Sequence, residues 1–253
     1  MGASGLDLRF PPSHLVGMKN WMDPPKRSQP TEAPPEAQVA PEAAKLVAKK
    51  ERLAAEGALK PRRVLPISER VPPGQSVVRG EVPVLDLGTR PHVDPRDWRL
   101  EIAGLVAHPM TLDLAALNAL GEVDIPLDIH CVTGWSALDQ QFKGVPLARI
   151  LEQAGPLESA THAILKSHDG YTTNLPLADL MRPDVLVATS WGGKPVTRDH
   201  GGPARLVVPH LYFWKSAKWL KGIRLIAGDH PGYWEVRGYH RRGDPWKEER
   251  FGR

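Results

Sequence analysis

The sequence predicts a mixed α+β domain whose sheets pair largely antiparallel, with short helices between the strands. Three observations predict it. Past residue 70, short apolar runs with period-two alternation recur between turn signals, as in Trp98-Arg99-Leu100-Glu101-Ile102 and Ala163-Ile164-Leu165-Lys166-Ser167. Helical periodicity is confined to short stretches among them. No Gly-rich phosphate fingerprint follows a strand and opens a helix, which argues against a doubly wound nucleotide fold.

The elements follow in order. Residues 1–70 form a Pro/Ala-rich basic extension with one candidate helix over 42–56, closed by Gly57. That helix reads as a solvated linker element or as a docking element, with Phe10 and Trp21 as further anchors. Pro72-Pro73-Gly74 is a strong break, and the domain is expected to span 71–253. Residues 82–87 are expected as a strand with Pro83 at its edge. Residues 98–102 are a strand, and 111–120 a helix capped by Thr111. An apolar run through Ile125, Leu127 and Ile129 leads to Cys131, where Thr133-Gly134 opens a loop. Residues 145–154 form an amphipathic helix, with Pro146 in its first turn and Gly155 past its end. Strands over 163–167 and 171–175 flank an Asp169-Gly170 turn. A short helix over 177–181, a strand over 184–190, the Gly192-Gly193 turn, and β-rich runs over 204–208 and 219–227 complete the body.

Composition narrows the function classes. Residues 1–75 carry 12 Lys/Arg against 8 Asp/Glu, and the remainder carries 21 of each. The basic excess therefore belongs to the extension, and the body gives no general case for nucleic-acid binding. A single cysteine excludes an internal disulfide and fits a reducing compartment. No apolar run approaches the roughly 20 residues of a membrane span. Neither a secretory layout nor a twin-arginine signal is present near the start, so a soluble, cytoplasmic protein is expected.

Two stretches carry chemistry. The first is Asp128-Ile129-His130-Cys131-Val132-Thr133-Gly134-Trp135-Ser136, which places the thiol where a buried strand meets a loop. Taken bare, such a cysteine is a small buried hydrophobe or a nucleophile beside a histidine; a zinc site lacks the further Cys or His ligands it needs. The second is His200-Gly201-Gly202-Pro203-Ala204-Arg205, followed by Tyr212-Phe213-Trp214-Lys215-Ser216-Ala217-Lys218. Two glycines allow close backbone approach, Arg205 offers a planar fork, and lysines and aromatic faces lie nearby. The set suits a large polar ligand bearing a phosphate, or else a solvated basic surface.

His130 through Ser136, Gly170 through Leu177, His200 through Lys218, and the ending from Pro231 to Trp246 resemble the sulfite-oxidase-like molybdopterin oxidoreductases, most closely their stand-alone cytosolic bacterial branch. The resemblance covers about residues 70–251. It implies a sulfite-oxidase-type molybdopterin-binding domain. It also implies a molybdenum held by one molybdopterin dithiolene, oxo or hydroxo groups and one protein thiolate, for which Cys131 is the match. It implies two-electron oxygen-atom transfer on a small substrate. Arg205 and His200 fall where relatives hold the pterin. Phe213, Trp214, Lys215 and Lys218 fall where the cofactor phosphate is gripped, and Ser167 at a polar cofactor contact; Leu85-Asp86 match an early cofactor-contacting loop less closely. Thr133 and Tyr171, with Trp135 and His130, are candidates for orienting substrate. The pattern departs from the animal and plant enzymes in having no arginine over 135–139, and from the sulfoxide-reductase relatives in having Thr133 in place of a glutamate. With no haem domain in view, a separate electron carrier is implied. A pterin-binding module without turnover and a cysteine hydrolase are the alternatives from other classes.

Overall fold

A computed structural model describes residues 69–252. The N-terminal extension, including the helix expected over 42–56, lies outside the described residues.

The strands are β1 (Ser76–Val77), β2 (Leu100–Gly104), β3 (Met110–Leu112), β4 (Val123–Cys131), β5 (Trp135–Pro146), β6 (His162–Ser167), β7 (Thr172–Pro176), β8 (Leu186–Trp191), β9 (Lys194–Pro195), β10 (Arg205–Val207) and β11 (Leu220–Ile226). The helices are α1 (Leu114–Ala119), α2 (Leu147–Ala154) and α3 (Leu177–Leu180). They build two sheets. One has the order β1-β5-β8-β10, with β4 also on β5 and β9 on β8; the other runs β3-β2-β11-β6-β7. Pairing is antiparallel except for β1 with β5 and β11 with β2. The expected fold class is therefore the one observed.

The local reasons are mostly those read from the chain. Helix α2 buries Leu147, Ile150, Leu151 and Ala154, one face at helical spacing, and ends on Gly155 at φ 64°, a left-handed position that favours glycine. The β6–β7 hairpin turns at Gly170 (φ 85°), with the Asp169 carboxylate accepting from the Tyr171 N–H at 3.0 Å. Strand β4 ends on Cys131, opposite Trp135, and the Gly134 N–H closes the turn on the Cys131 carbonyl at 3.0 Å. The buried Trp98 indole donates to the Leu220 carbonyl at 2.8 Å, joining the start of β2 to β11.

Two expectations are corrected, and one strand is added. Residues 82–87 form no strand; Pro83 has no N–H for a ladder, and the irregular segment lines the cleft described below. Thr111 does not cap a helix. It lies in β3 opposite Glu101, and the cap of α1 is Asp113, whose carboxylate accepts from the Ala116 N–H at 2.8 Å. The twelve-residue strand β5 was not anticipated. Its polar Gln140, Gln141 and Lys143 interrupt the apolar pattern, while Ala137 and Phe142 pack into one buried cluster and Val145 into another.

Candidate functional site

Cys131 lines a cleft enclosing roughly 790 Å³ up to its open mouth. The 83–87 segment contributes Leu85 and Asp86, the β4–β5 turn Cys131, Val132 and Trp135, and the β6–β7 hairpin Asp169 and Tyr171. His200, Arg205, Phe213, Trp214 and Lys218 complete it with Trp234 and Tyr239 from the C-terminal segment. The topology thus brings the two chemistry-bearing stretches of the sequence into one space.

Arg205 is 1% exposed. Its guanidinium donates to three carbonyls, those of His200 (2.8 Å), Ser216 (2.9 Å) and Leu206 (3.3 Å), and lies 4.3 Å from the Phe213 ring centre. Lys218 donates to the Asp199 carbonyl at 2.6 Å. Among the described residues no carboxylate forms an ion pair with either. Burial pushes Arg205 down to about 9, and burial with the Arg205 charge pushes Lys218 down to about 7. His200 is pushed down to about 4, by burial first and then by both cations, so it is neutral at pH 7. Burial raises Asp169 to about 6. The buried Arg205, satisfied by carbonyl dipoles with no carboxylate paired to it, favours an anionic ligand at its end of the cleft.

The glycines before Arg205 serve packing instead of ligand approach. A Cβ on Gly201 would meet Lys218 at 2.7 Å, and one on Gly202 would meet the Val196 carbonyl at 2.0 Å. Lys215 does not line the cleft. It is fully buried, and its ammonium donates to Glu235 (2.6 Å), to both oxygens of Asn174 (2.9 Å each) and to the Arg241 carbonyl. That ammonium has four acceptors around three protons. The same Glu235 carboxylate takes the Trp214 indole N–H at 3.0 Å, so the pair braces the cleft wall from behind. Ser167 is also buried outside the lining, with its hydroxyl unpartnered among the described residues.

The substrate-orienting candidates separate. Thr133 is exposed, with its hydroxyl 3.1 Å from the Cys131 sulfur. The Tyr171 hydroxyl donates to the Trp214 carbonyl at 2.6 Å, which leaves it an acceptor. His130 lies outside the cleft, 2.8 Å from the Ser136 hydroxyl and edge-on to Trp246, and burial pushes it down to about 4. The thiol has no histidine within hydrogen-bonding reach among the described residues, so the cysteine–histidine hydrolase arrangement is not formed. Tyr239 had not been singled out. Its buried hydroxyl has no partner among the described residues, and burial holds its pKa well above the ordinary tyrosine value. Only its place in a long aromatic-rich ending marks it in the sequence.

Residues 87–234 match the family described as oxidoreductase molybdopterin binding domain. The chain belongs to that family. It is 49% identical over 185 residues to the uncharacterized oxidoreductase YuiH of Bacillus subtilis, covering 73% of this chain and 93% of that protein. It is 33% identical to the putative protein-methionine-sulfoxide reductase subunit YedZ1 of Azospira oryzae, over 58% of this chain and 56% of that one. It is 26% identical to mitochondrial sulfite oxidase of Mus musculus, over 59% of this chain but 33% of that one. The sulfane dehydrogenase SoxCD of Paracoccus pantotrophus shares the fold at a TM-score of 0.54 and 20% identity, over 63% of this chain and 47% of that one. Apart from YuiH, the chain spans about half or less of these relatives. It is a sulfite-oxidase-like, molybdopterin-dependent oxidoreductase.

The site fits molybdopterin on its own chemistry. The cofactor carries a flat pterin, two sulfurs and a phosphate. The cleft offers aromatic faces, a soft thiol, the buried Arg205, the half-buried Lys218 and a Tyr239 hydroxyl without a partner among the described residues. Among the described residues no helix is long and apolar enough to cross a membrane.

Proposed function

We propose that this oxidoreductase carries out two-electron oxygen-atom transfer on a small substrate, with Cys131 as the protein ligand of molybdenum. His200, Arg205, Phe213, Trp214 and Lys218 hold the cofactor. The observation that carries the reading is a thiol, the buried Arg205 and the half-buried Lys218 lining one cleft, with no carboxylate in an ion pair with either cation among the described residues. When bound, the molybdenum cofactor supplies a two-electron couple at a centre able to exchange oxygen. A cysteine thiolate suits a metal already bound by sulfur. Thr133 hydrogen-bonds the sulfur and orients it. Arg205 presents a planar fork to phosphate, and Lys218 adds a point charge. Trp214 and Trp234 exclude water from the wall. Tyr239 offers its hydroxyl proton to an oxygen of whatever occupies the cleft, whereas Tyr171 has already committed its own. Electrons pass to or from a separate carrier, and a cytoplasmic location is the one its lone reduced thiol suits.

The test is metal and pterin analysis of protein made in a molybdenum-replete host, wild type against Cys131→Ser. We expect about one molybdenum and one pterin per wild-type chain, the stoichiometry of a single dithiolene site. The variant is expected to show an altered molybdenum EPR signal, because a hard hydroxyl replaces a soft sulfur. Wild-type protein free of both under those conditions would refute the reading.

A further inference from the structure

Another buried cation sits apart from Arg205 and Lys218. Arg250, from the C-terminal segment, is 4% exposed. One guanidinium nitrogen, Nη1, donates to the carbonyl of Val132, the residue bonded to Cys131. The guanidinium carbon lies 5.1 Å from the Tyr212 ring centre. The remaining nitrogens, Nε and Nη2, are buried and make no hydrogen bond among the described residues, and no carboxylate pairs with the group. The Tyr212 backbone in turn bridges to His130, the residue before Cys131.

A buried, permanently charged group with three idle donor protons is costly unless something nearby supplies negative charge. A purely structural strut at this point would be cheaper as an apolar side chain. The negative charge that the surroundings lack is what a thiolate-bound metal brings. We propose that Arg250 is a positioning and charge-compensating residue for the metal centre: it fixes the turn after Cys131 through the Val132 carbonyl, and its charge holds the centre's reduction potential up. Adding an electron makes the centre more negative, and a cation in a poorly screened interior favours that state. This rests on Cys131 being the metal ligand.

The experiment is an EPR-monitored redox titration of the loaded protein, with molybdenum content and thermal unfolding measured on the same samples. Arg250→Gln removes the charge and keeps a donor for Val132. Arg250→Met removes both while keeping volume under Tyr212, a replacement of buried charge that folds tolerate. Arg250→Lys keeps the charge. The Gln and Met variants are expected to hold molybdenum and to show a midpoint shifted to lower potential, with Lys close to wild type. A wild-type midpoint in Gln or Met variants carrying full molybdenum would overturn the proposal, as would a loss of thermal stability with no change in midpoint. Wild-type protein without molybdenum would instead sink the assignment of Cys131, a distinct result.

Discussion

Glu235→Gln isolates the buried pair behind the cleft. Both members of the Lys215–Glu235 ion pair have fully buried side chains, 2.6 Å apart. Gln keeps the Oε1 that accepts from the Trp214 indole (3.0 Å) and the Thr173 hydroxyl (3.1 Å), so the substitution chiefly strips Lys215 of its anion. The Asn174 carbonyls remain, but neutral acceptors do not neutralise a charge. Breaking a buried pair from one side costs about 3–5 kcal/mol. For a domain of this size that lowers Tm by about 6–20 °C. The pH dependence has a definite sign. Burial already pulls the Lys215 pKa below the ordinary lysine value, against the pull of Glu235, and removing Glu235 pulls it further. Between the depressed folded value and the unfolded one, the unfolded chain binds more protons, so the variant gains stability as pH rises. The deficit against wild type should therefore shrink from pH 7 towards pH 9. Thermal unfolding followed by tryptophan fluorescence measures both. A Tm within about 2 °C of wild type at pH 7 would show that the pair contributes little and that the reasoning about the buried charge is wrong.

Two further outcomes are open to simple measurement. Lys218, pushed down to about 7, gains its proton as pH falls; calorimetric binding of sulfate to cofactor-free protein should tighten about tenfold from pH 8 to pH 6, following the protonated fraction, and that dependence should vanish in Lys218→Met. Flat wild-type binding over that range counts against Lys218 as an anion contact. At Gly144 a Cβ would lie 2.3 Å from the Val187 carbonyl oxygen, where β5 and β8 meet at a register shift; Gly144→Ala is expected to cost about 1–3 kcal/mol by overpacking, read as a lower Tm, and an unchanged Tm would mean the two strands are not so close.

Much of the architecture was legible because neighbours in the chain control it. The β6–β7 hairpin, helix α2 with its Gly155 end, and the strand ending on Cys131 each follow from periodicity and turn chemistry within a dozen residues. The failures lie where distant partners take over. Thr111 is a fair helix cap by itself, but it pairs with Glu101 across β2 and β3, and Asp113 takes the cap. The polar residues of β5 hide a strand that only its pairing with β1, β4 and β8 defines.

The site divides in the same way. Residue type alone marked Cys131 as the thiol, and Arg205 and Lys218 as cations beside aromatic faces, because soft sulfur and phosphate-matching forks are properties of side chains. Which charges remain available is set by the partners that folding brings up. Lys215 and Lys218 stand three residues apart with the same ammonium. One is neutralised by Glu235, twenty residues on, and the other faces the cleft with no carboxylate paired to it. Arg250 acquires its place only through the carbonyl of Val132, 118 residues earlier. Spacing along a chain carries no information about such partners, since the Coulomb and desolvation terms that decide them depend on distance and burial in space.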